Sequence, residues 1–144
     1  MQINISYQNR KGIFDIEKYC KDENINLEEV RKLLCYDNQL TELKGLDKLV
    51  NLRYLDCRYN EIKALNGLDK LVNLEYLYCN DNKIANLKLN KLINLKCLYC
   101  DNNKLTELKG LDKLVNLEVL DCSSNKLNEL EGLDELVNLK KLKK

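Results

Sequence analysis

Seven cysteines and no histidine frame the chemistry open to this chain. Cys97 and Cys100 stand as CLYC, the spacing of dithiol redox centres and zinc knuckles. A redox pair wants its reactive thiol at a helix start, where the pKa is depressed. A zinc site wants two further ligands close by. The sequence around CLYC offers neither. Cys35, Cys57, Cys79, Cys100 and Cys122 instead recur at steps of 22, 22, 21 and 22 residues. A fixed step describes a structural column. On adjacent parallel strands its members stand about 4.8 Å apart, which a disulfide could span. In-register side chains point the same way rather than at each other, so reduced thiols acting as small buried hydrophobes are expected. Reduced thiols imply a cytoplasmic setting. Cys97, three residues before Cys100 on one strand, points to the opposite face and is expected to be the most exposed thiol. A Gly-rich phosphate loop and a nucleophile–base pair are also missing. The expectation is a non-enzymatic protein with no cofactor and no metal.

The cysteine column belongs to a longer repeat. Residues 74–84 read LEYLYCNDNKI, with apolar first, fourth, sixth and eleventh places and asparagine at the ninth. The skeleton returns as LRYLDCRYNEI at 52–62, LKCLYCDNNKL at 95–105 and LEVLDCSSNKL at 117–127. A looser copy, VRKLLCYDNQL, spans 30–40. Alternation at places four to seven predicts a strand with one buried face. The linking segment, TELKGLDKLVN in the first and fourth copies, spaces its leucines by three, which suits a tight 3₁₀ turn. Gly45, Gly67, Gly110 and Gly132 precede the middle leucine, where a left-handed backbone is expected. The third copy, ANLKLNKLIN, is one residue short and lacks the glycine, so an irregular convex side is expected there.

A period in the twenties of this form predicts a stacked solenoid. The pattern resembles the leucine-rich repeat family, in the short 22-residue class that includes the internalins. The resemblance implies an α/β fold, a right-handed horseshoe. A curved parallel β-sheet lines its concave side, short 3₁₀ turns its convex side, and a helical cap its N-terminus. It also implies that the ninth-place Asn38, Asn60, Asn82, Asn103 and Asn125 form a ladder of amides bonding the turns. A second column, Asn51, Asn73, Asn94, Asn116 and Asn138, is expected to cap the convex turns.

Residues 1–26 lack the repeat and read as the cap, with a helix expected over 13–21 from the spacing of Ile13, Phe14, Ile16, Tyr19 and Cys20. Whether the alternation of Ile3, Ile5 and Tyr7 makes a strand is left open. Residues 27–144 hold five full repeats and a truncated sixth, giving a single domain over the 144 residues. No apolar h-region stands at the start, so no signal peptide is expected. Mean hydropathy is −0.48 and the formal net charge is +1, which exerts no long-range pull on nucleic acid or anionic membrane.

Function is sought in the residues that the fold does not dictate, at the third, fifth, seventh and eighth places. Six of the eight tyrosines fall there, concentrated in the middle copies beside carboxylates. Tyr36, Tyr54, Asp56, Arg58, Tyr59, Tyr76, Tyr78, Tyr99, Asp101 and Asp121 are the expected partner-binding residues. Tyrosine gives large contact area at low entropy cost and is enriched at protein interfaces. The expected function is a protein–protein interaction module that binds another protein and neither nucleic acid nor membrane. The alternative is a structural protein that self-associates through an open C-terminal end. Lysines crowd that end, at Lys140, Lys141, Lys143 and Lys144, and lysine blocks edge pairing. A monomer is therefore expected.

Overall fold

A computed structural model describes residues 1–144. The chain runs β1 (Gln2–Asn4), β2 (Lys11–Asp15), α1 (Ile16–Asp22), β3 (Lys32–Leu34), β4 (Gln39–Lys44) and β5 (Tyr54–Asp56). It continues through β6 (Tyr76–Tyr78), β7 (Cys97–Tyr99), β8 (Val119–Asp121) and β9 (Lys141–Lys143). Each repeat strand is three residues long, an inward fourth place between outward third and fifth places. Seven strands form one parallel sheet in the order β1-β3-β5-β6-β7-β8-β9. At about 4.8 Å per strand it spans ~29 Å. The register is the repeat's own: Leu33, Leu55, Leu77, Leu98 and Leu120 align across it. These leucines and the five column cysteines are buried, and one core runs from Ile3 to Leu136.

β3, β5, β6, β7 and β8 each exit through a left-handed residue at the eighth place. Asp37, Tyr59, Asp81, Asn102 and Ser124 have φ between 52° and 55°. Asparagine and aspartate tolerate that region, while tyrosine is uncommon in it. The turn swings the ninth-place asparagine inward. Asn82 shows the pattern: its Nδ2 donates to Cys57 O at 2.9 Å, Cys79 O at 3.2 Å and Asn80 O at 3.2 Å. Its Oδ1 accepts from the Ile62 N–H at 2.9 Å. Asn38, Asn60, Asn103 and Asn125 repeat this. The second column also caps as expected, each amide donating to a carbonyl of the coil before it, as Asn73 does to Val50 O at 3.1 Å.

The convex side carries 3₁₀ helices at Leu46–Lys48, Leu68–Lys70, Leu111–Lys113 and Leu133–Glu135. Each is entered through its glycine, with φ of 82–87°. The short third copy has a plain turn at Asn90 and Lys91 instead.

The N-terminal segment differs from expectation. Its helix begins at Ile16, with the Asp15 carboxylate accepting the Lys18 N–H at 3.0 Å. Ile13 and Phe14 belong to β2, which pairs in parallel with β4, and Ile13 is exposed. Backbone pairing with β4 overrides the local helical spacing. The open question over Ile3 and Ile5 resolves as β1, with Ile3 opposite Leu33. Tyr7 is left-handed at φ 57°, and Gln8 follows where later coils carry asparagine. Asn38 caps the Arg10 N–H just as Asn60 caps the Leu40 N–H. The cap is thus a modified first coil, enlarged to hold α1.

Candidate binding face

The outward side chains of β3 and of β5 to β9 build one continuous surface. Because the strands are in register, third- and fifth-place tyrosines fall side by side. Tyr54 lies 5.8 Å from Tyr76 and 5.3 Å from Tyr78, centroid to centroid. Tyr78 stacks on Tyr99 at 5.3 Å with 9° between planes. Tyr54 meets its two neighbours at a 34° tilt, so the rings form one contiguous row along the solenoid axis, with Tyr78 and Tyr99 nearly parallel. Cations close the ends: Lys32 Nζ sits 4.3 Å above the Tyr54 ring and Lys141 Nζ 6.0 Å from that of Tyr99. Arg58 lies over both Tyr36, at 5.2 Å, and Tyr78, at 5.8 Å. Aromatic pairs and cation–π contacts each contribute about 0.5–1.5 kcal/mol, so the array is pre-organised.

Of the ten expected site residues, Tyr54, Tyr76, Tyr78 and Tyr99 form the stack, and Tyr36 is joined to it through Arg58. Tyr59 stands apart on its left-handed turn and is 52% exposed. Asp56 and Asp121 line the face but are only 1% and 6% exposed. Asp56 is held by Arg58 at 3.2 Å, and Asp121 by Lys143 at 3.4 Å and the Ser123 hydroxyl at 2.7 Å. Burial raises the Asp56 pKa in spite of Arg58. Burial also opposes ionisation of Asp121, but its hydrogen bonds and Lys143 outweigh that and hold its pKa below the usual carboxylate value. Asp101 is half-buried, and burial, then Asp121 and Asp81, raise its pKa.

Cys97 is a correction. It faces outward, as its place on β7 requires, yet it is buried at 8% exposure. It lies between Tyr76 and Val119 in the register, with Tyr78 Oη 3.9 Å from its Sγ. The large neighbouring side chains cover a small one. Burial raises its pKa, and burial followed by Cys97 raises that of Tyr78, so both hold their protons. All seven cysteines are free thiols.

Three contributors escaped the repeat pattern. Tyr7 packs edge-on to Tyr36 at 5.0 Å, extending the aromatic surface into the cap. The alternation of Ile3, Ile5 and Tyr7 carried that signal. Lys141 and Lys143 join from β9, where a lysine-rich end concealed two face positions.

A coiled stack with an inner parallel sheet and an inner asparagine ladder is the architecture of repeat solenoids. The chain belongs to the leucine-rich repeat family: the model for Leucine Rich repeats (2 copies) matches residues 28–70, 50–92, 72–113 and 93–135. Among solved structures, an internalin of Listeria monocytogenes (inlF) is 27% identical over 81% of this chain, with a TM-score of 0.73. The functional domain of InlJ from the same species, which includes a cysteine ladder, is 31% identical over 78%, with a TM-score of 0.69. A leucine-rich repeat protein of Leptospira interrogans is 26% identical over 83%, with a TM-score of 0.61. The chain spans 35%, 29% and 39% of these proteins respectively. No curated protein matches it. Leucine-rich repeat domains generally mediate protein–protein interaction.

Proposed function

We propose that the chain is a non-enzymatic protein-binding module whose tyrosine-rich concave sheet is the docking surface. One observation carries the reading. The stack of Tyr54, Tyr78 and Tyr99 occupies positions that the core and ladder do not use, and its order is set before any partner arrives. Ordered aromatic anchors are the usual energetic centres of interfaces. Changing Tyr54, Tyr76, Tyr78 and Tyr99 together to serine is expected to abolish partner capture from a host extract while leaving the far-UV circular dichroism intact. Capture retained by the folded variant would move the site to the convex side or the cap.

The module is proposed to act as a monomer. The outer strand β9 exposes all three of its residues, and two are lysines. Two such edges brought together would set like charges opposite each other. Leu127, Leu130, Leu133 and Leu139 are only partly buried at that end, which favours the rival reading of end-to-end association. Sedimentation should show a monomer at low and high salt. A dimer at every concentration that is lost on deleting residues 139–144 would favour self-assembly.

A further inference from the structure

Resting on that concave-face reading, we infer the chemistry of the partner: an extended, basic protein segment that presents an arginine or lysine to Asp101 and Asp81 beside the tyrosine stack. The inference comes from how charge is matched across the face. Asp37, Asp56, Asp81, Asp101 and Asp121 are its carboxylates, and Lys32, Arg58, Lys141 and Lys143 its cations. Asp56 and Asp121 are ion-paired within the chain. Asp81 accepts hydrogen bonds from Asn80 Nδ2 at 2.7 Å and Asn102 Nδ2 at 2.5 Å, but pairs with no cation. The Asp101 carboxylate is half-buried, is bonded only by its own backbone N–H, and has no cation within ion-pair distance. The flank of the solenoid differs: there Glu75 is bridged by both Arg53 and Lys96, and Glu118 by Lys140. The fold can thus neutralise acids in neighbouring coils. On the concave face it leaves Asp37 unpaired but exposed to water, and Asp81 and Asp101 on the third and fourth coils unpaired and partly buried.

Those two carboxylates lie at the seventh and eighth places, one lane over from Tyr78 and Tyr99 at the fifth. The lanes are about 7 Å apart along the strands. Both run along the solenoid axis. An extended segment laid between them turns alternate side chains to either side. Apolar side chains meet the tyrosine edges, since the ring faces are taken by one another and by Lys32 and Arg58. A cation meets the carboxylates. Arginine suits the second lane best, because its planar fork can pair with two carboxylates while stacking on an aromatic ring. The cation would offset the burial that Asp101 now bears alone.

The test is selection from a phage-displayed library of random peptides about twelve residues long, enough to cross the sheet at ~3.3 Å per residue. The full chain is the bait. Enriched peptides should carry Arg or Lys among apolar residues and bind more weakly as salt rises. They should bind Asp101→Asn about fivefold more weakly, the upper range for a partly exposed ion pair. They should not bind the four-serine variant. Neutral or acidic enriched peptides, or basic ones indifferent to Asp101→Asn, would overturn the inference. Their dependence on the tyrosines would still uphold the concave-face reading. Peptides indifferent to the four-serine variant would overturn both. A library yielding no enrichment would overturn the inference alone, with extract capture still deciding the broader reading.

Discussion

Replacing Asn82 by alanine is expected to destabilise the chain by about 3 kcal/mol, within the range for removing the partners of buried backbone groups. Four hydrogen bonds end on this one amide. Their loss is unequal. Cys57 O keeps the Asn60 amide, Cys79 O keeps that of Asn103, and Asn80 O keeps the Tyr59 N–H. The Ile62 N–H loses its acceptor outright. Aspartate should be worse than alanine despite its similar shape. It still accepts from Ile62 but sets a charge against three carbonyl oxygens, where no donor remains to it. Urea titrations of the two variants measure this. An order of alanine below aspartate, or a midpoint unchanged in both, would refute the bonding assigned to the ladder.

The second large effect is expected at Gly110. An added Cβ would stand 2.5 Å from Asn90 N and 2.6 Å from Asn90 Cα, backbone atoms of the coil before it. Backbone cannot turn aside as a side chain can, so the coils must separate. Gly110 also sits at φ 82°, where a Cβ is strained in its own right by about 1–2 kcal/mol. Gly12 isolates that second cost: its φ is 74°, and an added Cβ there meets nothing within 4 Å. Gly12→Ala should therefore cost about 1 kcal/mol, and Gly110→Ala more than about 3 kcal/mol, among the named causes of unusually large losses. Equal midpoints for the two in urea would show that close approach of the coils is not what requires Gly110.

The repeat was legible because five copies agree in every buried place, and burial is what stacking demands of Leu77 or Cys79. The left-handed eighth place was not, because Tyr59 and Ser124 interrupt the Asp and Asn that favour that conformation in the other copies. The first coil hid for a related reason. Gln8 replaces the asparagine, and α1 stretches the step from Ile3 to Leu33 beyond that from Leu33 to Leu55. Ile13 misled because its spacing from Ile16 fits a helix, while the pairing of β2 with β4 is a long-range contact that no local window contains. On the concave face the alternation brought Tyr54, Tyr76, Tyr78 and Tyr99 together, but Tyr59 stands apart on its turn. What it could not supply is depth. Cys97 and Asp56 face outward as their places require, yet Cys97 is covered by Tyr78, nineteen residues away, and Asp56 is buried with Arg58 held against it.

The ladder also has a direction. Asn60 caps the Leu40 N–H, Asn82 that of Ile62, Asn103 that of Ile84 and Asn125 that of Leu105. In each case the acceptor belongs to the following coil. Each asparagine bonds carbonyls of its own turn, but the N–H that follows that turn finds its acceptor only in the next coil. A nascent chain leaves the ribosome N-terminus first, so each turn stays unfinished until some twenty further residues have emerged. Growth in the order of synthesis then closes the ladder one rung at a time, with the newest coil as the frayed end. Run backwards, the same dependence means that losing a later coil strips an acceptor from the one before it, since repeat arrays are held by nearest-neighbour contacts. The enlarged first coil, finished by Asn38, is the fixed end from which that zipper starts.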